Sequence, residues 1–350
     1  IEANDGQPLG TAIYNRQPLI SARLLSSSAK TIIDEDFFAE ILRKALSLRE
    51  TLFSVPYYRL IHAEADGIPG TIIDRYGDTL VLQVNTAGIE NLLPALLSAL
   101  DQVLDPKTVV LRNDTPSRLL EGLECYDKVA KGALDGPIKV IEHDATFFAE
   151  LQEGQKTGWF FDQRDNRTLA ARFAKDADVL DCYSFAGGFT VQSALAGAKS
   201  VTTVDRSQTA LDLAAKAAEE NGVADKCTFV KAEVFNHLAK LANDGESYDL
   251  VIVDPPAFVK SKKDIQQGSK GYRKLARLAA KLVKPGGYLV VASCSHHMDI
   301  DNFADQTRKG LLDATRKSRL LFTRGAGPDH PVHPFLPESE YLKLQLYTLD

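Results

Sequence analysis

The sequence predicts an α/β protein built around a doubly wound, mostly parallel sheet, and two observations support this fold class. From about residue 157, apolar runs of strand length alternate with segments of helical periodicity, which is typical of βαβ units. One strand runs directly into Gly187 and Gly188, where a helix is predicted to begin. The predicted elements are helix 162–174, strand 178–184, helix 188–196, strand 200–205, helix 207–221, strand 227–231, helix 233–242, strand 248–254, helix 270–283 and strand 287–293.

The earlier part of the chain is organised differently. Residues 11–25 alternate and contain β-branched residues, so they predict strands joined by a turn. Asp34 is predicted to cap a helix that extends to about Arg49, because apolar residues recur there at helical spacing. Residues 57–85 predict three strands separated by glycine-containing turns. A helix near 88–103, a strand at 108–112 and a hairpin at 138–151 are predicted to follow.

Length and composition set the broad class. A chain of 350 residues exceeds one ordinary hydrophobic core, so we predict a short β segment over 1–26, an α+β domain over 27–155 and an α/β domain over 156–350. No apolar run is long enough for a membrane helix, and no secretory signal is visible. Four scattered cysteines predict reduced thiols and a cytoplasmic location. His330 and His333 lie among prolines, so we expect a loop there and predict no metal site.

An acidic residue follows the glycine turn at the spacing that ribose binding requires. Asp205 ends the next predicted strand, roughly 20 residues beyond the turn, where a carboxylate can accept from ribose hydroxyls. Nicotinamide and S-adenosylmethionine enzymes share this arrangement, but the dinucleotide fingerprint G-x-G-x-x-G is absent. The pattern therefore favours a methyl donor, which has no pyrophosphate, although a strand-end surface carboxylate is the structural alternative.

A second candidate site follows the predicted strand 248–254. The segment D-P-P-A-F (254–258) places a carboxylate at the carboxyl end of a central strand, where ligands of doubly wound sheets bind. Two prolines fix the backbone immediately beyond it. The pattern favours a functional role for Asp254 over a simple turn.

A cysteine follows the neighbouring predicted strand. Cys294 lies within S-C-S (293–295), at the same edge of the sheet as Asp254. A thiolate there can attack carbon 6 of a pyrimidine, which makes carbon 5 nucleophilic enough to accept a methyl group. From its position alone, a small buried structural cysteine is an equally good interpretation.

Four motifs together resemble the class I methyltransferase family of ribosomal RNA large-subunit methyltransferase I. They are D-Q-R-D-N-R (162–167), C-Y-S-F-A-G-G-F (182–189), D-P-P-A-F (254–258) and S-C-S (293–295). The resemblance keeps its segment order over essentially the whole chain. It implies a Rossmann-like methyltransferase domain with a seven-stranded sheet, preceded by a PUA domain and a central α+β domain. It further implies S-adenosyl-L-methionine as methyl donor and 5-methylcytosine in 23S large-subunit rRNA as product.

The resemblance also implies roles for individual residues. Cys294 matches the nucleophile, and Asp254 matches the residue that holds the ring nitrogen and amine of the cytosine. The residues that match the donor site are Gln163, Arg164, Ser184, Phe185, Gly187, Asp205, Glu233, Val234 and Asp254.

Three departures from the family pattern stand out. Residues 1–26 match only the last strands of a PUA domain, and Glu233 stands where relatives often have aspartate. Pro256 and Ala257 occupy the place of a second cysteine, which many RNA 5-methylcytosine enzymes carry. The base that removes the carbon 5 proton is therefore unassigned. In related 5-methyluridine enzymes a glutamate near the C-terminus has this role, and its place here falls near Lys343.

The net charge of −6 conceals a basic stretch that begins just after D-P-P-A-F. Residues 260–284 contain nine basic residues against Asp264 alone, and this predicts contacts with RNA phosphates. Apolar residues at helical spacing give the same stretch a core-facing side, so a solvated helix face is the alternative. Phe258 and Tyr272 are candidates either for stacking on a base or for the core. The predicted RNA-binding residues are Lys260, Lys262, Lys263, Lys270 and Arg273.

Three other functions compete with cytosine-5 methylation. A methyltransferase acting on a ring nitrogen, of guanine for instance, would use Asp254 for orientation and leave Cys294 structural. A nicotinamide-dependent oxidoreductase would need the missing third glycine. A non-catalytic RNA-binding protein would not require the intact Asp254 and Cys294. The sequence does not determine the oligomeric state, and a homodimer is one option.

Overall fold

The computed structural model describes residues 1–151 and 157–350, which group into two compact units. The N-terminal unit comprises Ile1–Val140, Ala149–Phe161 and Pro328–His333. The C-terminal unit comprises Ile141–Phe148, Asp162–Gly327 and Pro334–Asp350. The predicted boundary at residue 155 lies outside the described residues, and the division into three parts stays a prediction.

The N-terminal unit contains a five-stranded sheet with strand order β3-β4-β5-β6-β7. Asp34 caps the first helix by accepting from the Phe37 backbone N–H at 3.0 Å, as predicted. A second helix begins at Leu93, with Pro94 in its first turn, within the single helix predicted near 88–103. The elements are β1 (Thr11–Tyr14), β2 (Ala22–Ser26), α1 (Glu35–Leu52), β3 (Tyr57–His62), β4 (Thr71–Tyr76), β5 (Thr79–Val84), α2 (Ala87–Asn91), α3 (Leu93–Leu104), β6 (Thr108–Asn113), α4 (Ser117–Leu120) and β7 (Tyr126–Lys131).

A hairpin formed by β8 (Ile138–Glu142) and β9 (Ala145–Ala149) follows β7. The hairpin agrees with the one predicted over 138–151. In the C-terminal unit, Glu142 forms a buried two-point ion pair with Arg167, at 2.7 and 2.8 Å. The pair anchors the helix that contains Arg167, next to the glycine turn.

The C-terminal unit is built on a seven-stranded sheet with strand order β12-β11-β10-β13-β14-β16-β15. Its elements are α5 (Arg164–Ala171), β10 (Asp178–Cys182), α6 (Gly188–Leu195), β11 (Ser200–Asp205), α7 (Gln208–Glu220), β12 (Cys227–Lys231), α8 (Val234–Asp244), β13 (Tyr248–Val253), α9 (Ile265–Lys281), β14 (Val283–Ser293), α10 (Ile300–Asp313), β15 (Ser318–Arg324) and β16 (Lys343–Leu349). Six of the seven strands run in one direction, and β16, between β14 and β15, runs in the opposite direction. This confirms the predicted doubly wound, mostly parallel sheet.

The central strands are buried on both faces. Because both faces are covered, their sequences are continuous apolar runs. Val251 and Val291 are fully buried in one core cluster, together with residues of α9 and α10. Strand order reverses at β10, which pairs with β11 on one side and with β13 on the other. Ligands of doubly wound sheets bind beyond the carboxyl ends of the strands at such a reversal.

Two boundaries in this unit differ from the prediction by four residues or more. Helix α9 begins at Ile265 rather than 270, directly after a 3-10 turn at Lys262–Asp264 whose capping box is formed by Ser261 and Asp264. Strand β14 begins at Val283 rather than 287, where Val283 pairs with Tyr248 of β13. Across the described ranges, no helix has the length and apolar character needed to cross a membrane.

Candidate active site

The turn after β10 has an unusual backbone conformation. Tyr183, Phe185 and Gly187 have positive φ angles of 62°, 48° and 78°. The Tyr183 and Ser184 N–H groups both donate to the Val204 carbonyl oxygen, at 2.9 and 3.2 Å. A Cβ atom on Gly187 would lie 2.8 Å from the Ala214 Cβ, so a larger residue has no room there. The turn is therefore held close to both β11 and α7.

Asp205 connects the end of β11 to this turn. One carboxylate oxygen accepts from the Phe185 N–H at 3.0 Å, and the other accepts from the Ser207 N–H at 2.8 Å. Both bonds fix the orientation of the carboxylate, and each oxygen keeps a second lone pair for a hydroxyl donor. The predicted juxtaposition of the glycine turn with an acidic strand end is present in the structure.

Two further predicted residues lie at the start of α8. Glu233 is exposed, and its two oxygens accept from the Phe235 and Asn236 N–H groups at 3.2 and 2.9 Å. Val234 is buried directly beside it. Glu233 thus caps the helix, which holds its carboxylate in a defined place.

Asp254 is held from two directions. Its backbone N–H donates to the Cys182 carbonyl oxygen at 3.3 Å, which fixes the segment beyond β13 against the end of β10. Its Oδ2 accepts from the Gln163 side-chain amide at 2.8 Å. Gln163 in turn accepts from the Asn166 amide at 2.6 Å, so a chain of hydrogen bonds orients the carboxyl group.

Desolvation dominates the electrostatics of this edge. Removal from water raises the pKa of Asp254 to about 7, with further increases from Asp162 and Asp181 and an opposing effect of the Gln163 hydrogen bond. Burial likewise raises the pKa of Asp181 to about 7, although the Thr190 hydroxyl donates to it at 2.7 Å. Asp254 can therefore exist as a neutral acid near physiological pH.

Cys294 lies close to the segment that follows Asp254. Its Sγ is 3.8 Å from the Pro255 carbonyl oxygen, a contact typical of a thiol donor. The hydroxyls of Ser293 and Ser295 are each 2.8 Å from the Tyr272 hydroxyl. Cys294 is half-buried between these two anchored serines.

The Ser295 hydroxyl also connects the two motifs. It accepts from the Val259 N–H at 3.1 Å, immediately beyond D-P-P-A-F. The structure therefore brings the thiol of Cys294 and the carboxyl-bearing loop of Asp254 to one edge, as the strand order predicts.

Comparison with known proteins identifies the family. A family model described as S-adenosylmethionine-dependent methyltransferase matches residues 127–313. The ribosomal RNA large subunit methyltransferase I of Erwinia tasmaniensis is 38% identical over 348 residues, covering 97% of this chain and 87% of that protein. The chain belongs to this family. Its Shewanella amazonensis member is 35% identical, over 98% of this chain and 88% of that protein.

Solved structures confirm the Rossmann-like methyltransferase fold. A putative S-adenosylmethionine-dependent methyltransferase from Streptococcus mutans superposes with a TM-score of 0.85, over 99% of this chain and 90% of that one. A putative methyltransferase solved in complex with SAH gives 0.86 over the same coverage. Each is 23% identical in sequence to this member of the large subunit methyltransferase I family. The predicted family and methyl donor are thus confirmed.

The basic stretch of this methyltransferase has two parts. Lys260, Lys262, Lys263 and Lys270 are exposed. Arg273 is committed to a two-point ion pair with Asp313 of α10, at 2.6 and 2.7 Å. The exposed lysines precede or begin α9, whereas the arginine joins α9 to α10.

The two aromatic candidates for base stacking belong to the packing of this edge. Tyr272 is fully buried, with its ring against Phe258 at 4.8 Å and against Phe303 at 5.5 Å between centroids. Phe258 is half-buried and packs on the same core. Tyr272 therefore has a core role and no free face for a base.

Sequence patterns did not predict the contacts of several residues at the site, because the partners come from distant parts of the chain. Asp162, Asn166 and Asp181 shape the environment of Asp254, and Tyr272 anchors the serines. The buried side chain of Lys343 donates to the Ser295 carbonyl oxygen at 2.7 Å. Asp162 and Asn166 lie in the D-Q-R-D-N-R motif, Tyr272 was a stacking candidate, and Lys343 marked the place of the unassigned base.

A cavity of about 400 Å³ in the same unit is lined in part by Asn166. It is lined by His143, Arg172 and Arg324 among others, which gives it a cationic character. Among the described residues, no cluster of three or more His, Cys, Asp and Glu side chains has the arrangement of a metal site.

Proposed function

We propose that this enzyme forms 5-methylcytosine in 23S large-subunit rRNA through a covalent Cys294 adduct. The observation that carries the proposal is the Cys294 thiol beside the loop of Asp254, whose desolvated carboxyl group has a pKa of about 7. Relatives that align with nearly the whole of this chain are named ribosomal RNA large subunit methyltransferase I, which supports rRNA as the substrate. We place the reaction in the cytoplasm.

The residues at the glycine turn fit the methyl donor. Ser184 has a buried hydroxyl without a hydrogen-bond partner in residues 1–151 and 157–350, as expected where a polar ligand supplies one. S-adenosyl-L-methionine supplies an electrophilic methyl group. The residues that would hold it are Gln163, Arg164, Ser184, Phe185, Gly187, Asp205, Glu233, Val234 and the backbone of Asp254.

In the first step, the Cys294 thiolate forms a bond to carbon 6 of the cytosine. The electrons of the 5,6 double bond then shift toward carbon 5, and Asp254 donates its proton to the ring nitrogen N3. The other Asp254 oxygen accepts from the exocyclic amine. A carboxyl group with a pKa near 7 suits this exchange, because it holds and releases a proton at neutral pH.

The nucleophilic carbon 5 then accepts the methyl group. Loss of the carbon 5 proton to a base and cleavage of the sulfur–carbon 6 bond restore the double bond, and the N3 proton returns to Asp254. Pro256 and Ala257 supply no second thiol for this elimination. The target base must leave its stack to reach the thiol.

The exposed lysines supply the RNA contact in this proposal. Lys260, Lys262, Lys263 and Lys270 grip phosphates near the reacting base, whereas Arg273 acts through its ion pair with Asp313. The N-terminal parts, 1–26 with PUA-like character and 27–155, position the RNA.

Trapping the adduct tests the proposal. rRNA containing 5-fluorocytosine is incubated with the protein and labelled S-adenosylmethionine, and a denaturant-stable protein–RNA complex is sought. Fluorine blocks elimination from carbon 5, so the wild-type protein should accumulate the complex and Cys294→Ala should not. Cys227→Ala is the matched control, since Cys227 lies at the far side of the sheet on β12 and is also half-buried.

A different result of the same experiment would reject the covalent mechanism. Methyl transfer to ordinary rRNA without any trapped complex, retained in Cys294→Ala, would reject the covalent mechanism. Modification of a ring nitrogen would then be the function that remains.

A further inference from the structure

Lys343 lies alongside the S-C-S segment although β16 comes 50 residues later in the sequence. It pairs with Ser293 across the antiparallel β14–β16 ladder. Its Nζ reaches the Ser295 carbonyl oxygen at 2.7 Å. The side chain therefore starts opposite one serine and ends at the other, with Cys294 between them.

The side-chain amine of Lys343 is buried, and desolvation favours its neutral form, which can accept a proton. The residue is 5% exposed, and within residues 1–151 and 157–350 its Nζ forms no ion pair and donates to the Ser295 carbonyl alone. A buried cation is costly unless an opposite charge compensates it. A lysine in this setting points to a partner that carries negative charge during the reaction.

Four titratable groups surround this lysine and the thiol. Burial lowers the pKa of Lys343 to about 8, while Cys294, Asp299 and Glu340 raise it, with Cys294 the strongest of the three. The Tyr272 hydroxyl lies between the two serines. His296 is also near in sequence, and its ring stacks on Tyr341 at 4.9 Å.

We propose that Lys343 is a positioning residue whose buried amine takes the Cys294 proton and then holds the thiolate as its counter-ion. The inference rests on the proposed role of Cys294 as nucleophile. The S–H bond breaks, its electron pair stays on sulfur, and the proton forms a fourth bond at Nζ. No other reactant is needed, and the nucleophile is ionised before the base arrives.

Alkylation kinetics test this pairing without RNA or methyl donor. The rate of iodoacetamide modification is measured for each cysteine by peptide mass spectrometry between pH 5 and 10. We expect Lys343→Met to move the midpoint of the Cys294 profile upward by about one pH unit, which slows alkylation at neutral pH roughly tenfold. Lys343→Arg keeps a cation and should stay close to wild type.

The other cysteines serve as internal controls. Exposed Cys125 should react alike in all variants, and buried Cys182 should stay unmodified as long as the fold is intact. Lys231→Met repeats the substitution at an exposed lysine at the end of β12. If Lys343→Met exposes Cys182, the uncharged Lys343→Gln takes its place in the comparison with Lys343→Arg.

The outcomes separate this inference from the proposed function. Identical Cys294 profiles in the folded wild-type, uncharged and arginine variants would overturn the pairing, even if the RNA adduct forms. A shifted profile in the uncharged variants supports the pairing. With a shifted profile but no RNA adduct, the pairing would stand and the covalent mechanism would fall.

Discussion

The carboxyl edge of the sheet has two halves that are built by different means. At the β10–β11 half, backbone groups fix the functional side chain. Asp205 accepts from the N–H groups of Phe185 and Ser207, and all three residues lie within 23 residues of chain. At the β13–β14 half, side chains from distant parts of the chain form the contacts. Gln163 reaches Asp254 across 91 residues, and Lys343 reaches Ser295 across 48.

In the proposed mechanism, the two halves have different tasks. The methyl donor is the same in every turnover. A binding site that backbone N–H groups hold in place suits it, because such a site is rigid and insensitive to pH. Acid–base and nucleophilic steps need groups with shifted pKa values, and desolvated side chains supply them. Substitutions at each half should therefore affect different kinetic constants.

The largest expected effect is on turnover. Asp254→Asn keeps the hydrogen-bonding shape but cannot deliver a proton to N3, so the rate of methyl transfer should fall about 1000-fold. The dissociation constant of S-adenosylmethionine, measured by calorimetry, should stay within about threefold of wild type. An equal loss of donor affinity would show that the two halves are not separate.

The reciprocal substitution should have an intermediate effect. Asp205→Asn removes the charge that favours ribose hydroxyl donors, and donor affinity should fall about tenfold. At saturating donor, single-turnover methyl transfer should remain near the wild-type rate. The exposed Asp225→Asn is the control, and a reduced single-turnover rate for Asp205→Asn would contradict the division of tasks.

The smallest expected effect is a displaced pH profile. The Gln163 amide stabilises the ionised form of Asp254, so Gln163→Leu should raise the pKa of Asp254 above its value of about 7. In the proposed mechanism the protonated acid is the active form, so the alkaline limb of the rate profile should move upward by about one pH unit. Gln208→Leu, at an exposed glutamine of α7, should leave the limb in place.

The same contrast explains what the sequence could predict. The glycine turn, Asp205 and the order of strands and helices follow from local patterns, and the structure contains them nearly at the predicted residues. Periodicity carries no information about pairings across the fold, such as that of Tyr272 with Ser293 or of Lys343 with the S-C-S segment. The sequence left base stacking and the core as alternatives for Tyr272, and its burial shows that it belongs to the core.

The basic stretch shows a further limit of this kind. Charge density alone grouped Arg273 with the lysines, yet a carboxylate 40 residues away on α10 pairs with it. The elements after residue 293 escaped prediction as well. Of these, β16 enters the sheet between two strands that both precede it in the chain.

That late insertion has a consequence for synthesis on the ribosome. Until β16 has emerged, β14 lacks one neighbour and β15 has no partner in the sheet. The stretch that bears Cys294 is therefore made well before the strand that brings Lys343 to it. A growing chain can form the pairing of β10 with β11 early, but the segment that bears Cys294 gains its β16 neighbour only after another 50 residues have been made.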